Sequence, residues 1–322
     1  MTGDVSLGTS AGPAGRVRTS LPGLVAHVAT EYQLGVVAGW SVFATGYEDC
    51  NIDLRTAQAR VAVKVFAAGR PAAIAGRTAG VIEAVRAAGV HHPRLHVDAA
   101  GEAVHSYDGH QLLVMDFAPG RTFYDLGRPP DQAELTRLVE QAARIHACPA
   151  RPGRVFDSWA IANLAPLAGQ VGDLLDAGQR RLVDDAIAAM AAAGFWSLPV
   201  TLIHADLTAG NVLLGPDGEL TVLDFALANR WPRLQELAVI AASLMHGSPG
   251  PLPERLETVA RLYSAAAPVP LTPEEEAALP AFGRGAAAME LLGGLNQWRQ
   301  GNRGPETDSL IDLGTAGLRD YA

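Results

Sequence analysis

The chain has 322 residues, of which 48% are hydrophobic, and its formal net charge at pH 7 is −9. This length is sufficient for two packed lobes, whereas the acidic balance argues against nucleic acid as a partner. No apolar run is long enough to span a bilayer and the N-terminus carries no apolar leader, so we expect neither membrane binding nor secretion. The two cysteines, Cys50 and Cys148, suggest no disulfide framework and favour a cytoplasmic location.

The N-terminal part of the chain is expected to form a small β-rich lobe. Residues 1–20 are rich in Gly, Ser, Thr and Pro without periodicity, which predicts a flexible tail. A helix should follow over Leu21–Leu34, and a second helix is expected over Pro71–Gly89. Apolar alternation between turn residues predicts five strands, at Ala38–Phe43, Asn51–Thr56, Val61–Phe66, Ala103–Ser106 and Gln111–Phe117.

The remainder of the chain is predominantly helical in pattern. After Pro119-Gly120 ends the last strand, apolar residues recur at helical intervals in a series of segments. These segments are Gln132–His146, Leu164–Leu175, Arg180–Ala193, Pro232–Met245, Glu254–Ala265, Pro273–Ala281 and Arg284–Arg299. No unit of 20 to 50 residues repeats, so a solenoid is not expected.

One short polar stretch, Thr201–Phe225, interrupts the helical pattern. It reads as a strand, a tight polar loop and a hairpin whose turn is Pro216-Asp217-Gly218. Asp206, Asn211 and Asp224 lie at the ends of these strands. Converging carboxylates repel one another unless a cation lies between them, and Mg²⁺ is the expected cation.

The order of residues in this stretch resembles that of a kinase. His204-Ala205-Asp206-Leu207 followed by Asn211 has the spacing of the catalytic loop H-R-D-L-x-x-x-N, and Asp224-Phe225-Ala226 stands where D-F-G follows. With these motifs the chain resembles the aminoglycoside phosphotransferase and choline kinase-like family. The resemblance implies a protein-kinase-like α+β fold with two lobes, a β-rich N-terminal lobe (21–116) containing one helix and a larger α-rich C-terminal lobe (117–322).

The resemblance also implies roles for the residues of the loop. Asp206 would orient and deprotonate the acceptor hydroxyl, whereas Asn211 and Asp224 would hold magnesium ions on the phosphates of ATP or GTP. His204 would support the loop. The alternative is a solvated hairpin whose Asp and Asn residues only make turns. It does not account for the second motif at the expected distance.

Lys64 is the candidate phosphate-binding cation. Of the 25 basic residues, only Lys64 is a lysine. It lies in Val61-Ala62-Val63-Lys64, which matches V-A-I-K of the kinase third strand, and a compact ammonium fits a phosphate site where a guanidinium does not. The alternative is an ordinary solvated lysine. By the resemblance, Thr45 and Gly46 in the preceding loop would also contact phosphates, although this loop could equally be a plain hairpin turn.

Two further nucleotide contacts follow from the resemblance. A helix glutamate normally pairs with the strand lysine, and the only acid available is Glu83, which lies late in its helix. At the expected hinge between the lobes, the Asp116 carbonyl and the Ala118 N–H would bind adenine.

The acceptor is expected to be a small molecule. Thr208 occupies the place of the lysine common in Ser/Thr protein kinases, and no A-P-E segment for peptide binding follows Asp224. The first reading is phosphorylation of an antibiotic or another amino-containing natural product, and the second is a metabolic kinase of homoserine, hydroxylysine or an amino alcohol. The third is a non-catalytic nucleotide-binding or scaffold protein, suggested by the missing helix glutamate and by Ala226 in place of glycine. The oligomeric state is left open.

Overall fold

The computed structural model describes residues 17–43, 49–68 and 70–322. The chain divides into two compact units: one extends to Glu83 and includes Pro93–Pro119, and the other comprises Ala84–His92 and Gly120–Ala322. Most of the predicted tail lies outside the described residues, and the predicted lobe boundaries stay a prediction. None of the described helices is long and apolar enough to cross a bilayer.

The first unit is built on one antiparallel sheet. Its strands are β1 (Val37–Val42), β2 (Cys50–Thr56), β3 (Arg60–Val65), β4 (Val104–Tyr107) and β5 (His110–Asp116). They are ordered β1-β2-β3-β5-β4, which confirms the predicted five-stranded sheet. Helix α1 (Leu21–Glu31) precedes the sheet, and α2 (Ala73–Ala87) follows β3.

Strand alternation separates the two faces of this sheet. Val61, Val63 and Val65 of β3 join Ile52 and Leu54 of β2 in a buried cluster with α1. Because successive side chains of a strand point to opposite faces, Lys64 lies on the face away from this cluster. The alternation that builds the core of the first unit therefore also sets the side of the sheet on which the lysine is presented.

The second unit is mainly helical, as predicted. Its helices are α3 (Phe123–Leu126), α4 (Gln132–Ala147), α5 (Leu164–Val171), α6 (Ala177–Ala193), α7 (Leu234–Val239), α8 (Leu252–Ala266), α9 (Pro273–Arg299) and α10 (Pro305–Arg319). A π-helical segment, Ile240–Leu244, continues α7. The short strands are β6 (Arg121–Thr122), β7 (Val200–Ile203), β8 (Val212–Leu214), β9 (Leu220–Val222) and β10 (Asn229–Pro232). They pair as β6-β8-β9 and β7-β10.

Three details differ from the sequence prediction. Pro232 ends β10 rather than opening a helix, because the segment from Asn229 pairs with β7. The two helices predicted between Pro273 and Arg299 are one helix, α9, with Pro280 in its interior. An internal proline costs about 3 kcal/mol, which the fully buried Phe282, Leu291 and Leu292 of this helix offset.

The third difference is α10, since the predicted helical segments ended at Arg299. This helix packs closely on α9. A Cβ at Gly314 would lie 2.2 Å from the Leu291 backbone nitrogen and 2.6 Å from the Ala287 carbonyl oxygen. Only glycine permits this approach, so the backbones of the two helices touch at this position.

Candidate active site

The Lys64 ammonium has a carboxylate partner in the first unit. Its Nζ lies 3.0 Å from Asp49 Oδ2, and the two side chains are only 6% and 3% exposed. Arg70 Nη1 lies 3.1 Å from the same oxygen, while the Ala67 N–H donates to Asp49 Oδ1 at 3.1 Å. Asp49 thus links the start of β2 to the segment that follows β3.

Asp49 was not identified from the sequence, although the hairpin register contains a signal for it. Asn51 of β2 pairs with Lys64 of β3, and residues two apart on a strand share a face, so Asp49 is a diagonal neighbour of Lys64. Glu83, the predicted partner, is an exposed residue of α2. Thr45 and Gly46, the predicted phosphate contacts, lie outside the described residues.

Asp116, at the predicted adenine-binding segment, ends β5. Its N–H donates to the Arg94 carbonyl at 2.9 Å, and its carboxylate contacts His96 Nε2 at 2.7 Å and Arg94 Nε at 3.3 Å. Partial burial would raise the pKa of Asp116, but His96 and Arg94 bring it below its usual value. Ala118 lies two residues further on and is partly exposed. Base recognition by their backbone groups stays a prediction.

In the second unit, the predicted catalytic loop connects β7 to β8 and is held from beneath by Glu236. This fully buried carboxylate of α7 accepts the His204 N–H at 3.0 Å and the Ala205 N–H at 2.7 Å. Ala205 has φ of 74°, in the left-handed region that costs a non-glycine residue about 1 kcal/mol. The two hydrogen bonds to Glu236 hold the loop in this conformation.

The environment of Glu236 favours its ionised form despite full burial. Burial would raise the pKa of Glu236, but attraction to the His146 imidazole, with Nε2 3.5 Å from Oε1, and the His204 N–H bond bring it below its usual value. His146 is in turn placed by the Tyr263 hydroxyl, 2.9 Å from its Nδ1. The loop is therefore held by a buried carboxylate that accepts two of its backbone N–H groups.

His204 fixes the hydrogen bonding on the other side of the loop. Its Nε2 contacts the Leu223 carbonyl at 2.7 Å, and its Nδ1 accepts the Asp206 N–H at 3.2 Å. This pattern requires a neutral ring with its proton on Nε2, in agreement with burial, which lowers the pKa of His204. His204 ties Asp206 to the strand end that precedes Asp224.

Asp206 and Asn211 contact each other directly. Asn211 Nδ2 donates to Asp206 Oδ2 at 2.6 Å and to the Asp206 carbonyl at 2.9 Å. The Leu223 N–H donates to the Asn211 carbonyl at 2.8 Å, so Asn211 also adjoins the segment of Asp224. The structure thus brings together the residues of the two predicted motifs.

The surroundings of Asp206 are strongly acidic. Burial, followed by the charges of Asp224 and Asp157, raises the pKa of Asp206 well above its usual range, while the Asn211 hydrogen bond opposes the shift. Glu290 of α9 adds a further negative charge. Sequence reasoning missed Asp157 and Glu290, because nothing local marks two acids that the chain brings to Asp206 from distant segments.

The oxygen donors at this end of the hairpin fit a magnesium ion. Asp224 has φ of 60°, a conformation that Asp tolerates, and supplies a carboxylate. Asn211 uses its Nδ2 for Asp206, which leaves its amide oxygen for a cation. No cluster of three or more His, Cys, Asp or Glu side chains suited to a metal occurs in the part of the chain that the structure describes. Two protein oxygens suffice for Mg²⁺, which takes its other ligands from phosphates and water.

Ala226, the departure from the D-F-G motif, introduces no strain. Its N–H donates to Asp224 Oδ1 at 3.2 Å within a 3₁₀ turn over Phe225–Leu227. Its φ is not positive, so no glycine is needed at this position.

Comparison with solved structures identifies the fold. Spectinomycin phosphotransferase in complex with ADP and spectinomycin superposes with a TM-score of 0.70 at 11% identity, covering 95% of this chain and 99% of the other. A choline/ethanolamine kinase family protein from Mesorhizobium loti gives a TM-score of 0.65 at 17% identity, with 92% and 93% covered. The predicted α+β, protein-kinase-like fold is confirmed.

Sequence comparison identifies the family. A homoserine kinase from Caulobacter sp. strain K31 is 26% identical over 275 residues, which cover 83% of this chain and 84% of the relative. The profile of the phosphotransferase enzyme family (APH) matches residues 39–273, well over half of the sequence. The chain therefore belongs to the APH phosphotransferase family of small-molecule kinases, as the catalytic-loop motifs predicted.

Proposed function

We propose that the chain is an ATP-dependent kinase that phosphorylates the hydroxyl of homoserine or a closely related amino alcohol. The observation that carries this proposal is the homoserine kinase likeness, which extends over most of both sequences. The acidic surroundings of Asp206 agree with it, because an ammonium on the acceptor would be attracted there. Of the readings offered by the sequence, the metabolic kinase is thus preferred to the antibiotic kinase.

An antibiotic acceptor has weaker support. The likeness to spectinomycin phosphotransferase is at 11% identity and concerns the fold. Folds of this kind carry many substrate specificities, so the fold does not select an acceptor. A resistance role therefore has no specific observation in its favour.

In the proposed reaction Asp206 acts on the acceptor hydroxyl. Its carboxylate accepts the hydroxyl proton as the oxygen attacks the γ-phosphorus and the bond to the leaving ADP oxygen breaks. Asn211 holds Oδ2 at 2.6 Å, which leaves Oδ1 to face the acceptor. Burial and like charges make Asp206 a stronger base than a solvated aspartate.

The proposed nucleotide contacts are those predicted from the sequence. Lys64 binds phosphate oxygens, Asp224 and Asn211 hold Mg²⁺, and the backbone of Asp116 and Ala118 receives the adenine. Bound Mg²⁺ neutralises phosphate charge during transfer. Thr45 and Gly46 stay candidate phosphate contacts.

The test is a phosphorylation screen of the purified protein with ATP or GTP and Mg²⁺. The acceptors are L-homoserine, hydroxylysine, choline, spectinomycin and kanamycin. ADP release measures turnover, and mass spectrometry identifies the phosphorylated product. We expect kcat/KM for homoserine to exceed that for each antibiotic at least ~10²-fold, because sites that hydrogen-bond their substrate discriminate by about 10²-fold or more. Turnover of an antibiotic in preference to homoserine would overturn the proposal.

A further inference from the structure

We propose that Asp49 is the residue that positions the Lys64 ammonium for the nucleotide phosphates. In the kinases that this chain resembles, a helix glutamate has that role. The proposal rests on the proposed function, because it treats Lys64 as a phosphate-binding residue. It identifies a positioning residue at the start of β2, outside both predicted motifs.

The first argument is geometric. Both oxygens of Asp49 are engaged: Oδ1 accepts the Ala67 N–H, and Oδ2 lies 3.0 Å from Lys64 Nζ and 3.1 Å from Arg70 Nη1. A carboxylate held by three donors has little rotational freedom, so the ammonium beside it is also fixed. A lysine side chain otherwise has four rotatable bonds and about 2 kcal/mol of rotamer entropy to lose on binding.

The second argument concerns charge. Lys64 is 95% buried by residue area, and a buried ammonium is stable only beside an opposite charge. Asp49 supplies that charge at 3.0 Å, and Arg70 contacts the same oxygen. A nucleotide phosphate would therefore meet an ammonium that is already held in place. Since an ammonium carries three N–H donors, contact with Asp49 is compatible with phosphate binding.

Glu83 is the competing candidate for this role. It is exposed and lies in the last third of α2. An exposed carboxylate orients a buried ammonium less effectively than a buried one, because water screens its charge.

The first experiment measures binding of ATP with Mg²⁺ by calorimetry, without an acceptor. The variants are Asp49→Asn, Glu83→Gln and the matched control Asp53→Asn, which removes a carboxylate from the same strand at its ion pair with Arg60. We expect Asp49→Asn to raise Kd at least ~10-fold and the other two to change it less than ~2-fold. Tighter binding by Asp49→Asn would show that Asp49 competes with phosphates, and a larger loss in Glu83→Gln would assign the role to Glu83. Either result overturns the proposal.

A double-mutant cycle separates positioning from mere folding. If Asp49 acts through Lys64, the Lys64→Met, Asp49→Asn pair should bind nucleotide no more weakly than Lys64→Met alone. Additive losses would overturn the proposal, even if Asp49→Asn lowers stability.

A second readout uses the fact that Lys64 is the only lysine. Modification of Lys64 by an amine reagent, followed by peptide mass spectrometry, should be at least ~3-fold faster in Asp49→Asn than in Asp53→Asn, because the ammonium has lost its carboxylate partner. An unchanged rate counts against the proposal. Since neither assay requires an acceptor, failure of homoserine phosphorylation would leave these results interpretable.

Discussion

In the first unit the buried Lys64 ammonium lies 3.0 Å from the Asp49 carboxylate, whereas in the second unit the carboxylate of Asp206 lies among other acids. The Asp49 carboxylate supplies the counter-charge of the Lys64 ammonium. In the second, burial and the charges of Asp224 and Asp157 raise the pKa of Asp206 well above its usual range. The first unit thus presents a fixed cation, and the second leaves negative charge that a bound cation would relieve.

A second contrast lies within the second unit, between the fully buried carboxylate of Glu236 and the partly buried carboxylate of Asp206. Glu236 accepts two backbone N–H groups and lies beside His146, so its charge is stabilised. Asp206 accepts one side-chain N–H and faces like charges. The two carboxylates therefore differ in their hydrogen-bond donors and in the charges that surround them.

The largest expected effect is on turnover. Replacing Asp206 by Asn keeps the size of the side chain and the contact with Asn211 but removes the proton acceptor. We expect kcat to fall at least ~10²-fold with nucleotide affinity nearly unchanged. Steady-state kinetics and nucleotide calorimetry on the same preparation measure both quantities, and an equally fast variant would exclude Asp206 as the base.

The next effect is on stability at Glu236. Gln at this position loses the charge and turns one oxygen acceptor into a donor that faces a backbone N–H. We expect the free energy of unfolding to fall by about 2 kcal/mol, the cost of an unsatisfied buried donor. Urea unfolding measures it, with Glu140→Gln as the control, since the Glu140–Arg144 pair is exposed and 4.0 Å apart. Equal urea midpoints for the two variants would contradict the role given to Glu236.

The sequence was sufficient to predict the motif residues and the alternating strands. His204, Asp206, Asn211 and Asp224 were found because one short stretch contains them, and β3 because its apolar residues alternate. Both signals are local, since each depends on residues within a few positions of one another.

The contacts that sequence reasoning missed are the non-local ones. Glu236 reaches the loop from 31 residues away, and Asp49 reaches Arg70 over 21 residues. The apolar run Leu237–Met245 beside Glu236 indicates a buried helix, but the hydrogen bonds of Glu236 appear only when α7 packs against the loop. The single helix α9 was missed for a related reason, because burial of its later residues outweighs the local effect of Pro280.

Whereas Glu236→Gln is expected to lower stability, replacing Asp206 by Asn is expected to raise it. Its folded-state pKa is raised, so its ionisation destabilises the folded state at every pH above the unfolded value of about 4. Asp206→Asn, inactive as an enzyme, should therefore melt about 2 °C or more above the wild type at pH 7.5 without ligands. The gain should shrink as the pH falls and disappear below about 4, where the wild-type carboxyl is protonated in both states. Scanning fluorimetry across this range measures the gain, and a variant that melts lower at pH 7.5 would contradict the charge argument.

The smallest expected effect concerns Glu290, whose carboxyl is separate from the proposed proton transfer. Burial raises the pKa of Glu290 to about 7, although a hydrogen bond with Ser243 opposes the shift. Because the folded value lies above the unfolded value of about 4.3, the folded state binds the proton more tightly. Stability due to this group should therefore fall as the pH rises from about 4.3 to about 7 and stay level above that. Glu290→Gln should remove this part of the pH dependence of Tm, whereas Glu257→Gln, at an exposed position of α8, should retain it. If the melting profiles of wild type and Glu290→Gln stay parallel between pH 5 and pH 8, burial does not raise the pKa of Glu290.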